Sequence, residues 1–390
     1  MSAQRKDDHV RLAIEQQHVP LGGNQFDEVS FVHHALAGID RPEVSPAVSV
    51  ADGIAWPVPI YINAMTGGSV KTGAINRDLA TAARETGVPI ASGSMHAYFK
   101  DPSCADTFRV LRRENPRGFV MANVNATASV ADARRAIDLL EADALQIHLN
   151  TAQETVMPEG DRSFSSWAPR IEEIAAAVEV PVIVKEVGNG LSRQTVLALA
   201  DLGVRAADVG GRGGTDFARI ENGRREAGEY AFMHGWGQST AACLLDAQDA
   251  GLPVLASGGV RDPLDVARAL ALGAGAVGSS GGFLRTLLDG GVPALIGQIT
   301  AWLDQLAALQ TMLGARTPAD LARCDLLISG SLRDFCADRG IPTWQLARRS
   351  SSTGSTGSGK GSGTGAGPGS GSGSIEAEAE ALHEMTGRTR

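Results

Sequence analysis

Residues 254–278 run Val254-Leu-Ala-Ser257-Gly-Gly-Val-Arg261-Asp-Pro263-Leu-Asp-Val-Ala-Arg-Ala-Leu-Ala-Leu272-Gly-Ala-Gly-Ala276-Val-Gly278. A short apolar run ends in a glycine-rich polar turn. A stretch opened by proline follows, with helical spacing of its apolar residues, and then a second apolar run. This is a strand–helix–strand unit, and strands so evenly apolar need cover on their outer face. The alternation repeats from about Pro57 to Leu288. Strands are expected at 58–63, 88–92, 119–123, 144–149, 182–185, 206–209, 254–257 and 276–278. Helices are expected at 71–86, 130–141, 194–202, 240–250 and 263–272. Eight such units indicate an α/β protein built as a single (β/α)8 TIM barrel. The rival, an open doubly wound sheet, lacks its GxGxxG signature after the first strand. Residues before Pro57 and after Leu288 become N- and C-terminal extensions, with one long helix over 295–313.

The chain has 390 residues, 43% of them hydrophobic and 20% charged, which suits a globular enzyme. A net charge of −9 argues against a general nucleic-acid binder. No run of eighteen apolar residues marks a membrane span, and the N-terminus lacks the apolar core of a secretory signal. Cys104, Cys243, Cys324 and Cys336 form no CxxC pair, so a cytoplasmic protein with reduced thiols is expected. The division expected is a catalytic barrel over 1–348 and a low-complexity tail over 349–390. Residues 350–374 are almost wholly Ser, Gly and Thr, the composition of flexible coil.

Barrel enzymes build their sites at the C-terminal ends of the strands. Here those ends carry Asn63 to Gly68, Ser92-Gly93-Ser94, Asn123, His148-Leu-Asn150, Lys185-Glu186, Gly210-Gly211, Ser257 to Arg261 and Gly278 to Gly282. The last two follow strands seven and eight and lead into helices, where barrels commonly hold a phosphate on backbone N–H groups. Arg261 adds a candidate bidentate contact. Lys185 points inward and has three candidate roles: a Schiff-base nucleophile, a charge beside a flavin ring, or a pair with Glu186. Asn123, Thr66 and Ser94 nearby favour the flavin. The loop from His148 to Arg162 is the densest polar stretch, and Glu154 within it suits Mg2+, which takes one or two carboxylates plus phosphate oxygens. Taken alone, Arg5-Lys6 is a charged, disordered end, and Met65, Met121 and Trp236 are packing residues.

The chain resembles the type 2 isopentenyl-diphosphate isomerases, FMN-dependent barrel enzymes, from its N-terminus to about Arg348. The resemblance rests on Arg5-Lys6 with His9, Asn63-Ala-Met-Thr-Gly-Gly68, Gly93-Ser94 and His148-Leu-Asn-Thr-Ala-Gln-Glu154. It continues through Met157-Pro-Glu-Gly-Asp-Arg162, Lys185-Glu-Val-Gly188, Gly210 to Thr215, Ile220-Glu-Asn222, Trp236-Gly237 and Ala256-Ser-Gly-Gly259. It implies interconversion of isopentenyl and dimethylallyl diphosphate, with FMN, Mg2+ and NADPH to reduce the flavin. By resemblance, FMN is held by Met65, Thr66, Gly67, Ser94, Asn123, Lys185, Thr215, Gly259, Arg261, Ser280 and Gly281. The substrate is held by Arg5, Lys6, His148, Asn150 and Gln153, and Mg2+ by Glu154. No side chain is assigned as acid or base; that role falls to N5 of reduced FMN. A homo-tetramer or homo-octamer is implied, without nucleic-acid or membrane partners. Two departures stand out. Met95-His96 replaces the family's usual Gln-Arg, weakening one expected diphosphate contact that His96 replaces only in part, and Ser280-Gly281 replaces Ala-Gly.

Overall fold

The computed structural model describes residues 2–18 and 23–352. The Gly/Ser-rich stretch expected to be coil falls, from Thr353 onward, outside the described residues. Eight parallel strands close a barrel in sequence order: β1 (Ile60–Ile62), β2 (Ile90–Ala91), β3 (Val120–Asn125), β4 (Ala144–His148), β5 (Val182–Lys185), β6 (Ala206–Asp208), β7 (Val254–Ser257) and β8 (Val277–Ser279). Every expected strand is present. Closure is made by β8 on β1, with Val277 opposite Ile60 and Ser279 opposite Ile62.

The helices start where side chains can satisfy free N–H groups. Helix Val70–Thr86 opens with a capping box between Ser69 and Thr72 and ends at Gly87 in the left-handed region. Helix Pro263–Ala271 has Pro263 in its first turn, and Asp262 accepts from the N–H groups of Leu264 and Asp265. The helix expected over 295–313 is longer. It spans Gly281–Leu313 with a break at Gly291, whose φ of +73° suits only glycine. Helices Asp106–Glu114 and Trp167–Ala177 also cover the barrel.

The extensions have definite jobs. The hairpin Val48–Ala51 with Ile54–Trp56 plugs the N-terminal end of the barrel. It shares a buried apolar cluster with Tyr61, Ala91, Met121, Ala144, Ile183, Ala206, Leu255 and Ala276, the inward residues of the strands' early halves. Trp56 packs on Tyr61 at 5.2 Å and on Phe119 at 5.6 Å between ring centroids. Strand Val29–Phe31 pairs antiparallel with Leu326–Ile328, tying the two extensions together. The N-terminal charged stretch corrects its sequence reading: Ser2–His18 is helical, and Val10 and Ala13 are buried. An amphipathic segment gains helical order from the packing of its apolar face.

Candidate active site

Above the apolar plug, the barrel interior turns polar. Asp208 at the end of β6 is fully buried, and its carboxylate accepts from Tyr61 Oη (2.7 Å), Asn63 Nδ2 (2.7 Å), Ser257 Oγ (2.7 Å) and Gly210 N (3.1 Å). Asn63, Gln146 and Asn123 continue the layer across the barrel to His148, whose Nδ1 lies 2.8 Å from Asn123 Oδ1. Buried polar groups need such partners, and these are nearly all satisfied by one another. Gly278 completes the floor: a Cβ there would sit 2.5 Å from the Tyr61 ring.

Lys185 ends β5 and is also buried. Its ammonium donates to the Glu186 carbonyl at 2.7 Å. Burial pushes its pKa down, while the Asp208 and Glu186 carboxylates push it back up. The Glu186 carboxylate points elsewhere, accepting from the backbone N–H groups of Val187 and Gly188 at 2.7 Å, with Asn189 and Gly190 as further donors. Burial nevertheless lifts Glu186 to about 7. The Lys185 ammonium is therefore not consumed by a side-chain pair with Glu186.

A cavity of about 620 Å3 opens at the strand ends, within the usual range for small-molecule sites. It brings together Lys6, Met65, Ser94, Asn123, His148, Asn150, Gln153, Glu154, Lys185, Thr215, Gly259, Arg261, Ser280 and Gly281. Two expected cofactor residues are not on its wall. Thr66 is buried behind it, with its carbonyl accepting from Gly93 N at 3.1 Å, and Gly67 lies against the Phe108 ring. Arg5 lies in the first helix, but its side chain is outside the described residues.

Arg261 lines the cavity, yet its fork grips protein carboxylates. Nη1 donates to Asp27 Oδ2 at 2.9 Å and Nε to Asp265 Oδ2 at 2.8 Å. These bonds raise its pKa further. Arg261 therefore also straps residues 24–28 over the turn after β7, helped by Asn24 Nδ2 donating to Gly259 O at 2.6 Å. The turn itself exposes backbone. Gly258 has φ +94°, and a Cβ on it would lie 1.9 Å from Gly211 O.

The loop after β4 is organised around a short helix, Thr151–Val156. Asn150 and Glu154 are one turn apart, so Asn150 Nδ2 reaches Glu154 Oε1 at 3.0 Å. Asp161 N donates to Glu154 Oε2 at 2.8 Å, which aims the carboxylate. Among the described residues no cluster of three His, Cys, Asp or Glu side chains could hold a metal. His148 is held neutral. Burial, with Lys185 and Lys6 nearby, lowers its pKa to about 3.

Several site residues escape the sequence reading. Glu221 is fully buried; its Oε1 accepts from Gln153 Nε2 at 2.9 Å and lies 2.9 Å from His9 Nε2, while Oε2 contacts Arg224. Burial opposes its ionisation, but His9, Gln153 and Arg224 outweigh it and hold the pKa at about 2. Glu221 thereby ties the N-terminal helix to the β4 loop. Asp208 and Gln146 were hidden inside strands that looked only apolar or small. Lys100 was also missed: it shares one face of helix His96–Lys100 with His96, the residue named above in place of the family's arginine, and both line the cavity, which the i, i+4 spacing could have shown. Met121 is buried as expected, whereas Trp236 is 59% exposed, so it is not core packing.

Comparison with known proteins agrees with this geometry. Residues 105–327 match the model of the FMN-dependent dehydrogenase family. Over 361 residues the chain is 80% identical to an isopentenyl-diphosphate delta-isomerase of Streptomyces sp. (strain CL190), covering 91% of this chain and 99% of that one. Another, from Nocardia farcinica (strain IFM 10152), is 63% identical over 351 residues, 90% of this chain and 97% of the relative. Among solved structures, mandelate oxidase with (S)-2-phenylpropionate is similar with a TM-score of 0.59 and 16% identity, covering 84% of this chain and 98% of that one. That last likeness speaks for the barrel alone. The near full-length identity, together with the FMN family match and the barrel mouth described above, places this chain in the type 2, FMN-dependent isopentenyl-diphosphate delta-isomerase family.

Proposed function

We propose that the chain interconverts isopentenyl and dimethylallyl diphosphate by adding and removing protons, with reduced FMN and Mg2+ in the barrel mouth. The observation that carries the reading is that one cavity gathers two chemically distinct sets of residues. One set has the buried Lys185 ammonium, Asn123, Ser94 and the glycine turns. The other has Lys6 and the β4 loop, with a carboxylate aimed by its neighbours.

The residues present fit FMN. A buried cation that lines the cavity and hydrogen-bonds a backbone carbonyl rather than a carboxylate suits the electron-rich N1/O2 edge of a reduced flavin. Turns 258–259 and 280–282 offer backbone to a phosphate, the latter at the start of helix Gly281–Leu313. Met65, Ser94, Asn123, Lys185, Thr215, Gly259, Ser280 and Gly281 would hold the group. Arg261 lines the same wall beside the turn after β7, while Thr66 and Gly67 support it from behind. Lys6, His148, Asn150 and Gln153 would hold the diphosphate, joined by Arg5. Glu154 would bind Mg2+, the remaining ligands being diphosphate oxygens and water.

An alkene is a poor base, so an ordinary carboxylic acid in water protonates it badly. Bound FMN, reduced by NADPH, would supply the acid–base group at N5. The chain does the rest. Lys185 stabilises negative charge at the flavin edge. Met65, Met157, Trp167 and Phe217 on the cavity wall keep water from a tertiary carbocation. Assembly as a homo-tetramer or homo-octamer and a cytoplasmic location belong to the same proposal. No helix among the described residues is long and apolar enough to cross a membrane.

The test is direct. Purified protein should show flavin absorbance, bleach with dithionite, and then convert isopentenyl diphosphate to a product of equal mass without stoichiometric NADPH use. A colourless protein that cannot be reconstituted with FMN would overturn the reading. Stoichiometric oxidation of NADPH would favour an oxidoreductase on the same barrel.

A further inference from the structure

The cavity floor carries a hydrogen-bond chain with a forced direction. It begins at the Asp208 carboxylate, which only accepts. Asn63 must therefore turn Nδ2 toward it (2.7 Å), leaving Oδ1 to accept from Ala64 N (2.8 Å) and Gln146 Nε2 (3.3 Å). The backbone N–H of Ala64 only donates, so the Asn63 amide is fixed from both sides. The second N–H of Gln146 Nε2 points to Met121 Sδ (3.7 Å), which leaves Oε1 for Asn123, whose Nδ2 donates to it at 3.0 Å. That leaves Asn123 Oδ1 facing His148 Nδ1 at 2.8 Å. An amide oxygen cannot donate, so Nδ1 of the neutral ring must carry the proton. The other nitrogen, on a ring that lines the cavity, then presents a lone pair.

We infer that Asp208 is a positioning residue which, acting through Asn63, Gln146 and Asn123, fixes His148 as its Nδ1–H tautomer and makes Nε2 a hydrogen-bond acceptor toward the ligand. An ionised phosphate oxygen cannot donate to such a nitrogen. His148 therefore meets the diphosphate through an intervening donor, a water molecule or a metal-bound water. This deepens the proposed substrate site, and rests on that reading only for the ligand's identity.

Magic-angle-spinning NMR of the full chain, labelled with 15N-histidine at pH 7, reads the tautomer without turnover. His148 is assigned by the signal lost in His148→Gln. The parent protein should show the Nδ1–H pair of shifts for this residue. Gln146→Met breaks the chain at nearly constant volume, and Asp208→Asn replaces the acceptor-only anchor with an amide that can also donate. A signal from the Nε2–H form should appear in Gln146→Met, and in Asp208→Asn if that variant folds. Loss of the fixed tautomer should lower kcat/KM for isopentenyl diphosphate by about tenfold, as for other residues that orient a ligating histidine. An Nε2–H or charged ring in the parent, or an unchanged Nδ1–H ring in Gln146→Met, overturns the inference. Absence of isomerase turnover in the parent would instead count against the proposed function, leaving the NMR result to decide the tautomer.

Discussion

Glu221→Gln isolates the joint between the N-terminal helix and the β4 loop. The carboxylate is fully buried; Gln153 and Arg224 donate to it, and His9 Nε2 lies 2.9 Å away. Its pKa falls from an ordinary 4.5 to about 2 because those contacts outweigh the burial that opposes ionisation. At about 1.4 kcal/mol per pKa unit, this corresponds to about 3 kcal/mol of folding free energy. The sign follows from a lowered carboxylate pKa. The contribution is fully present above about pH 4.5 and is lost as pH falls through about 2. Glutamine keeps the shape but brings an N–H2 group against donors, leaving at least one buried donor unmatched. Urea unfolding at a fixed protomer concentration should show the variant about 3 kcal/mol less stable at pH 7, with the gap falling to about half at pH 3. A gap below about 0.5 kcal/mol at pH 7, or one of equal size at both pH values, would refute the reasoning.

Three further substitutions probe the two sets of cavity residues. Gly258→Ala places a Cβ against the Gly211 carbonyl at 1.9 Å and at φ +94°, so calorimetry should record a loss of about 2–5 kcal/mol and a matching fall in Tm. Lys185→Met removes the buried cation; equilibrium titration with FMN should show affinity weakened by about tenfold to a hundredfold. Glu154→Gln should leave flavin absorbance unchanged while raising the Mg2+ concentration needed for half-maximal turnover by about tenfold or more, read by titrating the metal at saturating substrate.

Much of the fold was legible along the chain. A strand buried on both faces must be apolar throughout, and a covering helix must repeat its apolar residues with helical spacing, so β1–β8 stand out by local pattern. The hairpin ending at Trp56 was not legible as a plug, since nothing in Val48–Ala51 names the partners that bury it. The N-terminal helix was missed for the same reason: its order comes from packing on residues far along the chain. In the site, the polar strand ends pointed to the rim where the cavity opens, while the partners of one residue depended on distance in space. Arg261 had the composition of a phosphate clamp, and only the fold shows that Asp27, 234 positions away, engages its guanidinium.

The sequence by itself determined the eight-fold alternation, the glycine turns after β7 and β8, and the polar loop beginning at His148, because each is set by neighbours within one strand–helix unit. Only the tertiary structure decided which charges meet. Closing the barrel sets Asp208 of β6 opposite Lys185 of β5 in register and within reach of Tyr61 of β1 and Asn63 just past it, and it sets Glu221 between His9 and Gln153. Those contacts join residues up to 212 positions apart, and in a low-dielectric interior they fix protonation and orientation that local pattern cannot carry.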